Sequence, residues 1–418
     1  MVCLSLSVTR YLMGFLLALA LVATPPSAYA ITLGLWAEAE GSNRTLDSLA
    51  RLEALIQKAH RLGVQHLFLQ VYRGNRSWYP SSLADDAPFQ GALAREGYDP
   101  LAFALYRAHG KGIRVHAWIN LFNVARNGEA KILKQLGREA VLVDSRGRSL
   151  LDYPTLRSAQ GSALSRSAQG SASQPENGLF LDTPGYWLDP AHPGVQTYLL
   201  ELVLELVRRY PNLDGLHFDY IRYPYAIPLP SGSNRPRLDF GYGESAMRFR
   251  QETGLDPLLV QQDPAVAEAW DGWRREQISS FLRRLRPKVK RLNPKLLLSA
   301  ALLPSADRAA LALQDWPGWM AEGLLDLGII MNYTKDRATA QTLSRQAITL
   351  KGKGQIFVGL GTYLLLDEPV LLLQQIRDAL AEGADGVVLF SYDNLLKKEG
   401  LFERLLEGPF QQRSPRPW

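Results

Sequence analysis

Asp214-Gly215-Leu216-His217-Phe218-Asp219-Tyr220-Ile221-Arg222-Tyr223-Pro224 opens as an alternation and closes its strand on a carboxylate. Successive side chains of a strand point to opposite faces. Leu216 and Phe218 therefore share one face, and Gly215, His217 and Asp219 share the other. In a barrel of parallel strands the second face is the interior, and Asp219 is its last inward residue, at the mouth. Seven further short apolar runs accompany this one, at 32–37, 64–72, 113–119, 296–302, 326–332, 355–361 and 386–391. Near-continuous apolar runs are what strands buried on both faces require. Helical periodicity fills the gaps between them, at 45–61, 100–109, 193–209, 267–292, 338–350 and 369–382. Helix-stopping glycines precede several strands, as in Arg61-Leu62-Gly63-Val64 and Gly110-Lys111-Gly112-Ile113. Eight β/α units predict an α/β fold of the (β/α)8 TIM-barrel type. The alternative, a doubly wound open sheet, lacks support: no G-x-G-x-x-G follows the first strand and no Walker loop is present.

The first thirty residues read differently. Arg10 precedes the apolar run Tyr11-Leu12-Met13-Gly14-Phe15-Leu16-Leu17-Ala18-Leu19-Ala20-Leu21-Val22-Ala23, followed by Pro25-Pro26 and Ala28-Tyr29-Ala30. This pattern predicts a secretory signal peptide over 1–30, cut after Ala30, and export to the periplasm, cell envelope or exterior. The run is shorter than the about 20 residues that span a bilayer, so an uncleaved anchor is the weaker alternative and no stable membrane insertion is expected after cleavage. Cys3, the single cysteine, leaves with the leader, so disulfides and thiol chemistry drop out. A single barrel is expected over 31–410, with two long loop insertions. The first, 155–177, is low in complexity: Arg157-Ser158-Ala159-Gln160-Gly161-Ser162-Ala163 recurs as Arg166-Ser167-Ala168-Gln169-Gly170-Ser171-Ala172. The second, 225–264, is rich in Pro, Gly and aromatics. Both fall in βα loops, on the face where barrel active sites are built. Each reads either as a lid or groove wall or as neutral surface. With 21% charged and 46% hydrophobic residues the chain is neither disordered nor a multi-span membrane protein. A net charge of +6 without any long Lys/Arg run gives no nucleic-acid footprint.

Strand ends carry the chemistry. Asp219 reads either as an ion-pair partner of Arg222 or as a general acid, base or nucleophile at the barrel mouth. His217, one layer deeper, reads as a hydrogen-bonded barrel histidine that orients Asp219. With six histidines and no second one at ligand spacing, no metal site and no cofactor is expected. Other strand ends present Trp36 with Glu38, Tyr72-Arg73, Trp118 with Asn120, Asn332-Tyr333 with Asp336, Tyr363, and Ser391-Tyr392-Asp393. Rings stack on the C–H faces of sugars, while amides, acids and arginines pair with sugar hydroxyls, so the set suits a carbohydrate. The residues expected to touch it are Tyr72, Arg73, Trp118, Asn120, His217, Arg222, Tyr223, Asn332, Tyr333 and Asp393.

The run Leu188-Asp189-Pro190-Ala191-His192-Pro193-Gly194-Val195, taken with Gly215 through Pro224, resembles the signature of the glycosyl-hydrolase-like family ten, bacterial exported (β/α)8 proteins. Val115-His116-Ala117-Trp118-Ile119-Asn120, Gln70-Val71-Tyr72-Arg73-Gly74-Asn75 and Tyr79-Pro80-Ser81 are similar to further family segments. The resemblance implies a glycoside hydrolase with a relative acting on peptidoglycan glycan strands that have lost their peptide stems. It also implies that Asp219 matches a family acid and that Arg73 and Asn120 match polar cleft positions. Many members carry two adjacent aspartates where this sequence has Asp219-Tyr220. Glycoside hydrolysis needs two carboxyl groups. For the second we rank Asp336 first, because it follows strand six across the barrel from strand four, then Glu38, then Asp393. Two rival readings stand beside the hydrolase: a non-catalytic glycan-binding barrel and a polyanion-binding surface protein.

Overall fold

The computed structural model describes residues 32–154, 156–158, 179–227 and 238–407. Its centre is eight parallel strands: β1 (Leu33–Ala37), β2 (His66–Arg73), β3 (Arg114–Asn120), β4 (Gly215–Asp219), β5 (Leu297–Leu302), β6 (Leu327–Asn332), β7 (Gln355–Gly361) and β8 (Gly386–Phe390). Each pairs with its neighbours in chain order, and β1 pairs with both β2 and β8. The sheet therefore closes, and the fold is the (β/α)8 barrel. The strands match the apolar runs of the sequence to within a residue or two.

Local signals set the helices between them. Pro100–His109, Pro193–Arg209 and Pro264–Leu292 each start on a proline, which has no N–H to leave unpaired. Before them Asp99, His192 and Asp263 accept hydrogen bonds from the next free backbone N–H groups.

The barrel interior is filled by Trp36, Phe68, Trp118, Leu327, Ile329, Phe357 and Val388, with Phe390 half-buried above them. Room for the largest ring comes from Gly359 on β7, where a Cβ would lie 2.6 Å from the Trp36 indole. Gly215 on β4 does the same for His116, whose ring a Cβ would meet at 2.1 Å.

Part of the second insertion is folded. Helix Glu244–Thr253 and the turn Pro257–Leu259 pack onto the start of Pro264–Leu292 through Ala246, Phe249, Val260, Val266, Ala267 and Trp270. Buried Arg274 fastens the segment with ion pairs to Asp239 (2.8 Å) and Asp271 (2.6 Å). The leader and residues 159–178, most of the serine-rich insertion, lie outside the described residues. No described helix is long and apolar enough to cross a membrane.

Gly359→Ala must push the Trp36 indole out of its slot, an overpacking that costs about 1–3 kcal/mol. The expected result is a lower urea midpoint at unchanged slope; an unchanged midpoint would show that the slot has slack.

Candidate active site

β4 delivers Asp219 to the mouth of the barrel, where its side chain is half-buried. Trp118 Nε1 donates to its Oδ2 at 3.2 Å, and the backbone N–H of Tyr220 donates to its Oδ1 at 2.8 Å. Burial pushes its pKa up to about 6 from the ordinary 3.8, against the pull of the Tyr220 N–H, the Arg222 charge, the Trp118 N–H and the Arg73 charge. Tyr220 itself has φ +51°, a left-handed conformation that is costly for a bulky residue and concentrates at functional sites. The Trp187 ring packs edge-on against it at 5.5 Å, and the Arg222 guanidinium covers both rings.

Arg222 is not the partner of Asp219. It is buried, forms an ion pair with Asp182 Oδ2 at 2.8 Å, and donates to Thr183 Oγ1 and the Tyr223 carbonyl.

Glu38 follows β1 and is also half-buried. Ser391 Oγ donates to its Oε2 at 2.8 Å. Burial raises its pKa. The Ser391 hydrogen bond opposes the rise, the Asp393 charge adds to it, and the charges of Arg73 and Lys397 oppose it. Tyr333, at the end of β6, stacks on Phe390 (5.5 Å, 24°) and meets Tyr363 edge-on. Its phenol is held well above its usual pKa by burial and then by the charges of Asp219, Tyr363, Tyr220 and Glu38. One ring thus feels both raised carboxylates, and Asp219 and Glu38 flank the same aromatic bowl.

Asp336, ranked first from sequence as the second acid, has another task. It is exposed and caps helix Arg337–Thr349, accepting from Thr339 N at 2.7 Å, and these bonds lower its pKa. Asp336 is thus committed to the helix cap, whereas Glu38, second in that ranking, acts with Asp219 on the same Tyr333 ring. Asp393 is buried and accepts from Asn43 N (2.6 Å) and Ser42 Oγ (3.3 Å), tying the loop after β1 to the end of β8.

Several expected sugar contacts are corrected in the same way. Tyr72 is fully buried outside the barrel, bonded to Asn75, because β2 carries a bulge between Gln70 and Tyr72 that breaks the alternation. Tyr223 is buried against Asp189. Asn332 points outward and donates to the Ala340 carbonyl and Ser344 Oγ, fixing the following helix. His217 is fully buried and contacts Trp36 and Ser299, so it orients Trp36 and not Asp219. Asn120, as buried as Trp118, stands level with Asp219 in the pairing of β3 with β4 and accepts from Gln70 Nε2.

Left in the bowl are Asp219, Glu38, Arg73, Trp118, Asn120 and Tyr333. The sequence reading missed Ser391 as the donor to Glu38 and Asp182 as the holder of Arg222; neither pairing has a local signal. Among the described residues no three His, Cys, Asp or Glu side chains gather as metal ligands.

The family model described as Glycosyl hydrolase-like 10 matches residues 33–150 and 173–363. Among curated proteins, glycosyl hydrolase DigH of Escherichia coli strain K12 is 23% identical over 397 residues, covering 86% of this chain and 79% of that one. Glycosyl hydrolase YngK of Bacillus subtilis strain 168 is 20% identical over 242 residues, 57% of this chain and 37% of its own length. Among solved structures, the PgaB (BpsB) glycoside hydrolase domain from Bordetella bronchiseptica superposes with a TM-score of 0.60 at 14% identity, over 92% of this chain and 100% of that one. The catalytic domain of β-amylase from Paenibacillus polymyxa gives 0.58 at 10% identity, over 92% and 99%. These two structures share the barrel fold with this chain.

The raised Asp219 pKa has a consequence for stability. Between about pH 4 and pH 6 the folded state binds a proton that the unfolded chain, titrating near 3.8, has released. The stability Asp219 contributes is thus complete below the lower value and lost as pH rises through the upper one. Asp219→Asn, which cannot ionise, should melt higher than wild type at pH 7.5, by on the order of 2 °C, with the gap closing below pH 4. A gap independent of pH would show that the carboxyl is ordinarily solvated.

Proposed function

Because the chain belongs to the Glycosyl hydrolase-like 10 family and is a glycoside hydrolase, we propose that it acts after export, at the cell envelope, on peptidoglycan glycan strands stripped of their stem peptides. The observation that carries the mechanism is the half-buried Asp219 carboxyl, raised to about 6, sharing a bowl with Glu38.

Cleavage of an O-glycosidic bond needs one carboxyl to protonate the leaving oxygen and a second to act at the anomeric carbon. Asp219 suits the first task, since an acid with a pKa near the working pH both holds its proton and releases it. As the C–O bond breaks, the Asp219 proton moves to the leaving oxygen. Glu38 then either bonds to the anomeric carbon or draws a proton from the attacking water. A carboxyl separation of about 5–5.5 Å at cleavage gives retention and about 6.5–9.5 Å gives inversion, so the product anomer reports which of the two it does. The Trp118 N–H fixes the rotamer of the acid, and Tyr333 on Phe390 supplies a face for sugar stacking. Support for the envelope substrate comes from the leader-like residues 1–30 and from the family resemblance.

Release of reducing ends from denuded strands should fall as pH rises through about 6, where the acid loses its proton. Asp219→Asn and Glu38→Gln should each lower kcat by about 10²–10⁴-fold, whereas Asp336→Asn should stay near wild type. A folded Asp219→Asn enzyme with full cleavage removes the mechanism. Strand binding by wild type without release of ends makes the barrel a glycan-binding module.

A further inference from the structure

The bulge in β2 that buries Tyr72 has a second effect. Phe68 and Gln70 face the barrel interior; at the bulge the register to β3 slips, so that Tyr72 packs outward and Arg73 turns toward the bowl. Bulges beside active sites commonly re-aim a side chain in this way. The Arg73 side chain is 36% exposed, and its Nε lies 3.6 Å from Glu40 Oε2, too far for a hydrogen bond. Arg76 holds the other oxygen of Glu40, Oε1, at 2.8 Å. Other cations around the rim are engaged: Arg222 with Asp182, Lys335 with Glu368, and Lys397 with Asn394. Among the described residues Arg73 makes no hydrogen bond and only the loose ion pair with Glu40, while its charge bears on Glu38, Asp219 and Tyr220.

A neutral sugar can engage such a group only through single hydroxyl oxygens. A sugar carrying an acid gains more, because Glu38, and Asp219 once it has given up its proton, are negative in the bowl and like charges repel unless a cation intervenes. The planar guanidinium fork pairs with a carboxylate through two parallel hydrogen bonds, which an ammonium group does not reproduce.

We propose that Arg73 is the specificity-determining residue of the bowl: it binds a carboxylate borne by the sugar next to the scissile bond, so that acidic glycans are preferred over neutral ones. The inference rests on the hydrolase reading and deepens it. An ether-linked lactyl group and a uronic acid offer the same chemistry.

Wild type, Arg73→Gln and Arg73→Lys are assayed on three substrates: denuded peptidoglycan strands, the same strands with carboxyls reduced to alcohols, and hyaluronan oligomers. Wild type should show a KM at least tenfold lower on native strands than on reduced ones. In Arg73→Gln that ratio should collapse toward one, and Arg73→Lys should recover only part of it. Cleavage of hyaluronan in place of the strands assigns the carboxylate to a uronic ring. Equal wild-type kinetics on native and reduced strands overturn the proposal, and so does an equal loss on both in Arg73→Gln, which would mean that Arg73 acts only on Glu38 and Asp219. If wild type cleaves none of the three, the hydrolase reading fails. Calorimetric titration with the native and reduced strands then decides the inference separately: it stands if the acidic form binds tighter to wild type alone, and falls otherwise.

Discussion

A carboxyl holds its proton near neutrality only when it is taken partly out of water and denied a full positive partner. At the end of β4 both conditions are met. Asp219 receives one indole N–H and one backbone N–H, two neutral donors, and no guanidinium hydrogen bond. Arg222, three residues on, is turned away because Asp182 and Thr183 hold it from the chain before β4. Had that guanidinium reached Asp219, the carboxylate would be an ordinary ion-pair member with a depressed pKa and no proton to give. The chemistry at the mouth thus depends on where a buried ion pair outside it is anchored.

The layer beneath the mouth is arranged to add no charge of its own. His217 Nε2 accepts from the Trp36 indole, and Ser299 Oγ donates to the Leu216 carbonyl, so His217 Nδ1–H donates to Ser299 and the ring is neutral. Burial takes its pKa down to about 3 and that of His66 to about 4, and moves His116 in the same direction. A cation at any of these positions would pull Asp219 back toward ionisation. The floor is polar enough to satisfy the Trp36 indole in the barrel interior, and neutral enough to leave the acid raised.

The barrel was legible in the sequence because strands buried on both faces are mostly apolar along their length, and because glycines mark the helix ends before them. The inward set of β4 was legible for a related reason: five residues of undisturbed alternation end on a carboxylate. What failed was the assumption that alternation runs unbroken to every strand end. One bulge in β2 exchanges the roles of Tyr72 and Arg73, and nothing in Gln70-Val71-Tyr72 announces it. On β6, Asn332 goes outward to fix a helix and leaves its neighbour Tyr333 for the bowl. Asp336 is a different kind of failure, since its signal was present: an acid immediately before a helical period, with Thr339 three residues on, is the pattern of an N-cap. The pairings Ser391 with Glu38 and Asp182 with Arg222 join residues distant in the chain, and only the closed barrel brings them together.

The two raised carboxylates share their surroundings, since Glu38 and Asp219 both act on Tyr333 and both feel Arg73. In the proposed reaction Asp219 becomes negative at the moment the anomeric carbon becomes positive. A bowl in which that charge is costly at rest is one in which the developing cation relieves the cost, so the interaction strengthens along the reaction and not before it. Arg73 limits how far this can go. Placed tighter against either acid it would stabilise the ground-state carboxylate and flatten the difference; displaced entirely, it would leave Arg222 to act on Asp219 and Lys397 on Glu38, with no cation shared by both. Its long 3.6 Å approach to Glu40, with the fork otherwise uncommitted, is a compromise that leaves room for a third carboxylate, one that arrives with the substrate.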